Sequence, residues 1–295
     1  MRHSYFIYNF TSKLIIFSTL ICVILSFTFK DFYLNILAFS GILTFGIIHG
    51  ANDLLLIKEV SKTYNFKLQL LYYVIMVGGF FLFFYYIPIL ALITFVLLSS
   101  YHFGEHQWTL FDKIENSFIK TFYFFYGLTI FSLLFYFNIE EVSEIIFDIT
   151  TIQLSENFFF YLLVTSSLIS FISSLLLYSK IKNQFITQII LLTLLIITFK
   201  TCGLIWSFAI YFVFWHSIPS IKEQTIFIYG KAEKETIKNY FKKAFSYWLL
   251  SIIVLIITYY LFRVNQDKLI SIFFSFLAAI TFPHTFVVSK IKKPS

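Results

Sequence analysis

The chain has 295 residues, of which 59% are hydrophobic, 22% aromatic and only 13% charged, with a formal net charge of +7 and a mean hydropathy of +0.84. No ordinary soluble domain carries so little polar surface, and two cysteines, Cys22 and Cys202, both inside apolar runs, support neither a disulfide framework nor a thiolate metal site. The expected class is an all-α polytopic integral membrane helical bundle of about ten transmembrane helices.

Apolar runs between charged or turn-forming punctuation place those helices in order, each long enough to cross a hydrocarbon core of roughly 30 Å. The first, 13–30, is long and lacks a small-x-small cleavage site, so it reads as a retained span rather than a signal peptide. The second, 33–57, carries His49, Asn52 and Asp53 and is followed by Lys58, Lys62 and Lys67; the third is 68–86. The fourth, 88–109, ends in "SSYHFGEHQW" (Ser99 to Trp108), with His102, Glu105 and His106 where a membrane helix should be greasy. A neutral connection with Asp112, Lys113, Glu115 and Lys120 leads to the fifth, 118–138, and then to a stretch with Glu140, Glu141, Glu144, Asp148 and Glu156 but no base. The sixth, 157–179, precedes Lys180 and Lys182, and the seventh is 184–199. The eighth, 203–221, contains "WHSIPS" (Trp215 to Ser220) and precedes Lys222, Lys231, Lys234, Lys238, Lys242 and Lys243. The ninth is 244–262, and the tenth, 269–289, contains "FPHTFVV" (Phe282 to Val288) before Lys290, Lys292 and Lys293. By the positive-inside rule the lysine-rich connections and both termini are cytoplasmic. The expected location is the cell inner (plasma) membrane. No repeat or linker divides the chain, so residues 1–295 are expected to form a single transmembrane domain.

Of the six histidines, His3 lies in the tail and the others lie in spans two, four, eight and ten. His49 is nine positions before Lys58, His102 ten before Asp112, His216 six before Lys222 and His284 six before Lys290. At 1.5 Å per residue each is roughly 9 to 15 Å from its helix's cytoplasmic end. Four imidazoles at one depth on four helices point to a shared metal site, and an i, i+4 spacing adds Asp53 to the face of His49 and His106 to that of His102. A carboxylate there would fix an imidazole's tautomer. Neutral imidazoles without thiolate suit iron, zinc, copper or nickel, and the donors alone do not separate these metals. The one HxxxH, "HFGEH", favours a single metal over the repeated histidine boxes of integral-membrane di-iron oxygenases.

Gly46, Gly50 and Gly104 fit either close helix packing or a substrate channel. Trp108 and Trp215 fit either interface anchors or the walls of a cavity beside the histidines. The 42 Phe and 20 Tyr are too widely spread to mark a pocket. No phosphate-binding glycine loop, nucleotide fingerprint or Ser-His-Asp arrangement is present, and no nucleic-acid partner is expected.

At "HGANDLLLI" (His49 to Ile57), "SSYHFGEHQW", "WHSIPS" and "FPHTFVV" the chain resembles the Brp/Blh-type membrane β-carotene 15,15'-dioxygenase family, whose signatures are similar to HGxxD, HFGxxD, HSxxH and PHxxxV. The resemblance implies a non-haem iron oxygenase that uses O2 to split β-carotene, taken from the lipid bilayer, at its central 15,15' double bond into two retinal molecules. It further implies Fe(II) as cofactor, His49, His102 and His216 as its ligands, Asp53 as their support and no catalytic residue beyond the metal ligands. Delivery of the retinal to a microbial rhodopsin fits this role. Two positions depart from the family pattern: Ser220 stands where HSxxH has its second histidine, and Gln107 where HFGxxD has its aspartate. The fourth ligand must then be His284 or His106, and His284 is preferred because it brings a fourth helix at the same depth.

Two other classes compete. An intramembrane histidine-lined metal or proton transporter would use the same residue types, but needs polar groups through the whole membrane depth, whereas here they gather in the cytoplasmic half. A structural partner of a rhodopsin would use the histidines only for packing. Bound transition metal separates the first two classes from the third, and carotene consumption separates the oxygenase from both.

Overall fold

The computed structural model describes residues 2–60, 65–109, 118–262 and 269–289; Lys62, Asp112, Lys113, Glu115, Lys290, Lys292, Lys293 and the side chain of His3 lie outside that description. Among the described residues there is no strand. The helices in order are α1 (Arg2–Thr28), α2 (Asp31–Gly41), a π-helical turn (Ile42–Gly46), α3 (Ile47–Ala51), α4 (Asp53–Val60), α5 (Phe66–Tyr86), α6 (Pro88–Thr109), α7 (Ile119–Phe137), α8 (Ile139–Thr150), α9 (Glu156–Leu176), α10 (Tyr178–Thr201), α11 (Leu204–Ile210), a second π-helical turn (Tyr211–Ser217), α12 (Ile218–Tyr229), α13 (Lys234–Phe262) and α14 (Leu269–Ser289). They provide ten stretches long and apolar enough to cross a membrane, one for each predicted run.

The differences lie at ends and interruptions. The ninth span starts at Lys234, ten residues before its apolar run, because lysine is a good helix former and its stem can lie along apolar surface while its amine reaches water. The acidic stretch after the fifth span is largely helical, as α8, which at 12 residues is too short to span. It is amphipathic: Glu140, Glu141 and Glu144 are exposed while Val142 and Thr150 are buried.

The helices cluster into two compact units that interleave along the chain. Unit 1 takes Met1–Ile42, Ser99–Ser143 and Leu154–Pro219; unit 2 takes Leu43–Leu98, Glu144–Gln153 and Ser220–Ser295.

In unit 1, α7 packs along α9, α10 against α1, and α11 against α2. Lipid is as apolar as leucine, so close packing and interhelical hydrogen bonds must hold such contacts. Buried Ser166, Ser170, Ser173 and Ser174 line α9, and Ser166 Oγ donates to Ser132 Oγ of α7 at 3.3 Å. Gly104 of α6 and Gly127 of α7 let two backbones meet: a Cβ on Gly104 would collide with the carbonyl of Tyr123, and one on Gly127 with the carbonyl of Ser100. Gly104 is therefore a packing residue. Both candidate tryptophans are core residues rather than interface anchors. Trp108 packs edge-on against Phe122 and Tyr126, and Trp215 Nε1 donates to Thr19 Oγ1 at 2.8 Å. Cys22 and Cys202 are buried free thiols.

In unit 2, α14 packs on α5 and α13 on α3. The rings of Phe80 and Phe282 stack at 4.2 Å over a core of Phe84, Ala91, Ala278 and Ala279. Small alanines on α14 give these large rings room. Trp248 Nε1 donates to the carbonyl of Leu43, within the first π-helical turn, at 2.7 Å.

Candidate functional site

Each unit carries its own cluster of buried histidines. In unit 1, His102 and His106 lie one turn apart on α6, as their spacing predicts. His216 sits in the second π-helical turn, whose looser winding shows in Ser217 Oγ donating to the carbonyl of Phe212, five residues back, at 2.7 Å. Such turns are frequent at functional sites because they re-aim side chains that a regular helix would space evenly. His216 contacts both α6 imidazoles, its Nε2 lying 3.3 Å from His102 Nε2 and its Nδ1 3.3 Å from His106 Nδ1. Phe103 closes on the His216 ring edge-on at 4.4 Å, and Phe212 stacks near it.

Those distances constrain the protons. If His216 Nδ1–H donates to His106, His216 Nε2 carries a lone pair facing His102 Nε2, and the facing nitrogens need a proton or a cation between them. Two imidazoles on one metal, with bonds of about 2.1 Å, place their nitrogens about 3.0 to 3.4 Å apart. The observed separation of 3.3 Å fits that geometry.

In unit 2, the rings of His49 and His284 meet at right angles with centroids 4.7 Å apart. His49 Nδ1 is bonded to the carbonyl of Gly46. His284 Nδ1 donates to Asp53 Oδ1 at 2.7 Å, while Asp53 Oδ2 accepts from the Tyr73 hydroxyl at 3.0 Å. Both imidazoles thus engage Nδ1 and have Nε2 as the remaining nitrogen, with the tautomer set by a carbonyl in one case and a carboxylate in the other, which is how metal-ligating histidines are usually held. All three of His49, His284 and Asp53 are buried. Pro283 removes a backbone hydrogen bond just before His284.

Asp53 supports a different histidine from the one its spacing indicated. An i, i+4 relation holds on an unbroken helix, and Asn52, with φ −94° and ψ 13°, separates α3 from α4. Tyr73, the second partner of Asp53, carries no local signal: it is one of 20 tyrosines in an apolar chain. Glu105 accepts from the Tyr101 hydroxyl at 3.1 Å. Gln107 donates to Gln188 Oε1 at 3.2 Å, so the residue standing at the family's aspartate position makes an amide pair in unit 1. Gly50 faces His284, with room for an ordinary contact at 3.5 Å from Nδ1 to an added Cβ.

A family model described as beta-carotene 15,15'-dioxygenase matches residues 40–292, which include His49, His102, His106, His216, His284 and Asp53. The chain belongs to that family. No curated protein and no solved structure matches it. The matched range reaches into both units and includes HGAND on α3 and α4, HFGEH on α6, HS in the second π-helical turn and PH on α14.

Proposed function

We propose that this chain cleaves β-carotene at its 15,15' double bond with O2, giving two retinal molecules, and that one Fe(II) is held by His49, His102, His216 and His284. The observation that carries the reading is the state of the donors. The imidazoles His49, His216 and His284 each have Nδ1 engaged with a protein partner, and Nε2 of His102 faces Nε2 of His216 at metal-sharing distance. When bound, ferrous iron would supply the O2 chemistry that side chains cannot. The chain's own tasks are to orient the imidazoles, bring the central alkene to them and keep water out. Phe103 and Phe212 serve the last task beside His216. A substrate dissolved in the bilayer would reach the site between apolar, aromatic-rich spans.

Residues 1–295 are taken to act as one transmembrane domain. Each unit draws on three separate stretches of chain, so no single cut yields either unit. An even number of spans would put both termini on one side, and the lysine-rich connections support the cytoplasmic side of the inner (plasma) membrane. A reporter fused within Glu140 to Asp148 is expected to read as external; a cytoplasmic reading would overturn the shared depth of the histidines. Retinal, itself apolar, would pass through the bilayer to a retinal-binding membrane protein such as a microbial rhodopsin.

The function is tested by expressing the chain in a β-carotene-producing bacterial host. Loss of colour with retinal as product supports the reading; unchanged carotene in the presence of membrane-inserted protein opposes it, and bound metal without carotene loss would favour the transporter.

The fourth ligand has a separate test. His106 is bonded to Nδ1 of His216, which suits a partner that fixes the His216 tautomer better than a ligand. His284→Ala is therefore expected to lose iron as severely as His49→Ala, and His106→Ala to retain most of it. Ser220→His, which restores the family's HxxxH spacing, is expected to return part of the iron to the His284→Ala protein. Full iron retention in His284→Ala alone would remove that residue from the ligand set.

A further inference from the structure

His49 stands on a segment that an ordinary helix would not provide, five residues of α3 between a π-helical turn and the break at Asn52. Interruptions of this kind release backbone groups, and in a hydrocarbon surrounding each released group needs a partner. One residue, Tyr240, ties this segment at two points, once through its side chain and once through its main chain. The Tyr240 hydroxyl lies 3.1 Å from the carbonyl oxygen of His49, and the main-chain carbonyl of Tyr240 accepts from Asn52 Nδ2 at 3.0 Å. Tyr240 is fully buried on α13, which packs along α3.

The same hydroxyl lies 2.7 Å from the amide of Gln224, and the other end of that amide lies 2.9 Å from Ser220 Oγ. A phenol has one proton to donate. With that proton on the His49 carbonyl, the Gln224 amide must turn its nitrogen to the phenol oxygen and its oxygen to the Ser220 hydroxyl, an orientation with the same outline as its reverse. Donation then runs in one direction, from Ser220 to Gln224 to Tyr240 to the carbonyl of His49, with every acceptor matched. Ser220, which stands where the family pattern has a histidine, begins this chain.

We propose that Tyr240 is a positioning residue for His49. By holding the main chain at residue 49 and the side chain at residue 52, it fixes the direction in which the His49 imidazole presents Nε2, and Gln224 and Ser220 hold the phenol in turn. The proposal rests on the reading that His49 is a metal ligand.

The test is titration of the metal-free, detergent-solubilised full chain with Co(II), followed by the metal's visible absorption, in wild type, Tyr240→Phe, His49→Ala and the double variant. Phenylalanine keeps the ring in its packing and removes only the hydroxyl. Tyr240→Phe is expected to bind Co(II) about 10- to 100-fold more weakly, with a changed absorption spectrum. In the His49→Ala background the same substitution is expected to cost nothing further, because its effect passes through that imidazole. Unchanged affinity and spectrum in Tyr240→Phe, or a loss that adds in full to that of His49→Ala, would overturn the proposal. If Tyr240→Phe does not fold, Asn52→Ala, which cuts the second tie and leaves the ring in place, is expected to weaken binding in the same direction, and unchanged binding there overturns it equally. A wild-type chain that binds no Co(II) would overturn the metal reading and this proposal with it.

Discussion

Alanine at His216 is expected to abolish retinal formation and strip iron from the protein while leaving it inserted in the membrane. His216 is the ring that joins its cluster, meeting His102 through Nε2 and His106 through Nδ1. Its loss leaves two imidazoles on one face of α6 with no partner on the second π-helical turn. His49→Ala and His102→Ala are expected to have effects of the same size, since each removes one donor from the proposed set. Asp53→Asn should do less. It keeps a hydrogen-bonding group beside His284 but gives up the carboxylate, and changes of that kind typically cost 10- to 100-fold in metal affinity. Iron per chain and retinal per hour, measured on the same preparations, check the order. Any one of the three alanine variants with near-normal values would have to be struck from the ligand set.

Gly104→Ala is expected to do comparable damage for a different reason. The added methyl would be driven into the main-chain carbonyl of Tyr123, and only 2.9 Å from the nitrogen of Gly127. Backbone cannot turn aside as a flexible side chain can, so α6 and α7 must part. Overpacking a well-filled core costs about 1 to 3 kcal/mol, occasionally more, and a clash with main chain belongs at the upper end. Because His102 and His106 flank Gly104 on the same helix, any parting of α6 from α7 also displaces the imidazoles. Gly127→Ala should behave alike. Gly78→Ala and Gly79→Ala are the controls: nothing lies within 4 Å of an added Cβ at either, and alanine favours a helix by roughly 0.5 to 1 kcal/mol. Thermal unfolding and the yield of monodisperse protein in detergent are the readouts. A Gly104→Ala protein as stable as wild type would show that the two helices do not approach so closely.

The spans were legible because length and apolarity suffice to mark a membrane helix, and all ten appear where the runs lie. The candidate metal donors were legible for a related reason: a histidine is costly in hydrocarbon, so His49, His102, His216 and His284 stood out against their surroundings. What hydropathy cannot carry is local winding. The π-helical turns at Ile42–Gly46 and Tyr211–Ser217 and the break at Asn52 depend on which backbone groups find partners, such as Trp248 for the carbonyl of Leu43. The pairing of Asp53 with His284 spans 231 positions of sequence, and that of Tyr240 with the His49 carbonyl spans 191, so no local spacing encodes either. The helix α8 is a different case. Val142, Ile145, Ile146 and Ile149 repeat at helical spacing opposite the glutamates, the pattern of an amphipathic helix, but the segment is too short and too acidic to register in a search for apolar spans.

The central claim, iron-dependent cleavage at the middle of β-carotene, is tested most directly by the retinal formed per carotene consumed when the purified chain is loaded anaerobically with Fe(II) and then exposed to O2. Two retinals per carotene, with no product from the metal-free protein, is the expected result. Unequal apocarotenal fragments, or retinal formed equally well without metal, would contradict it.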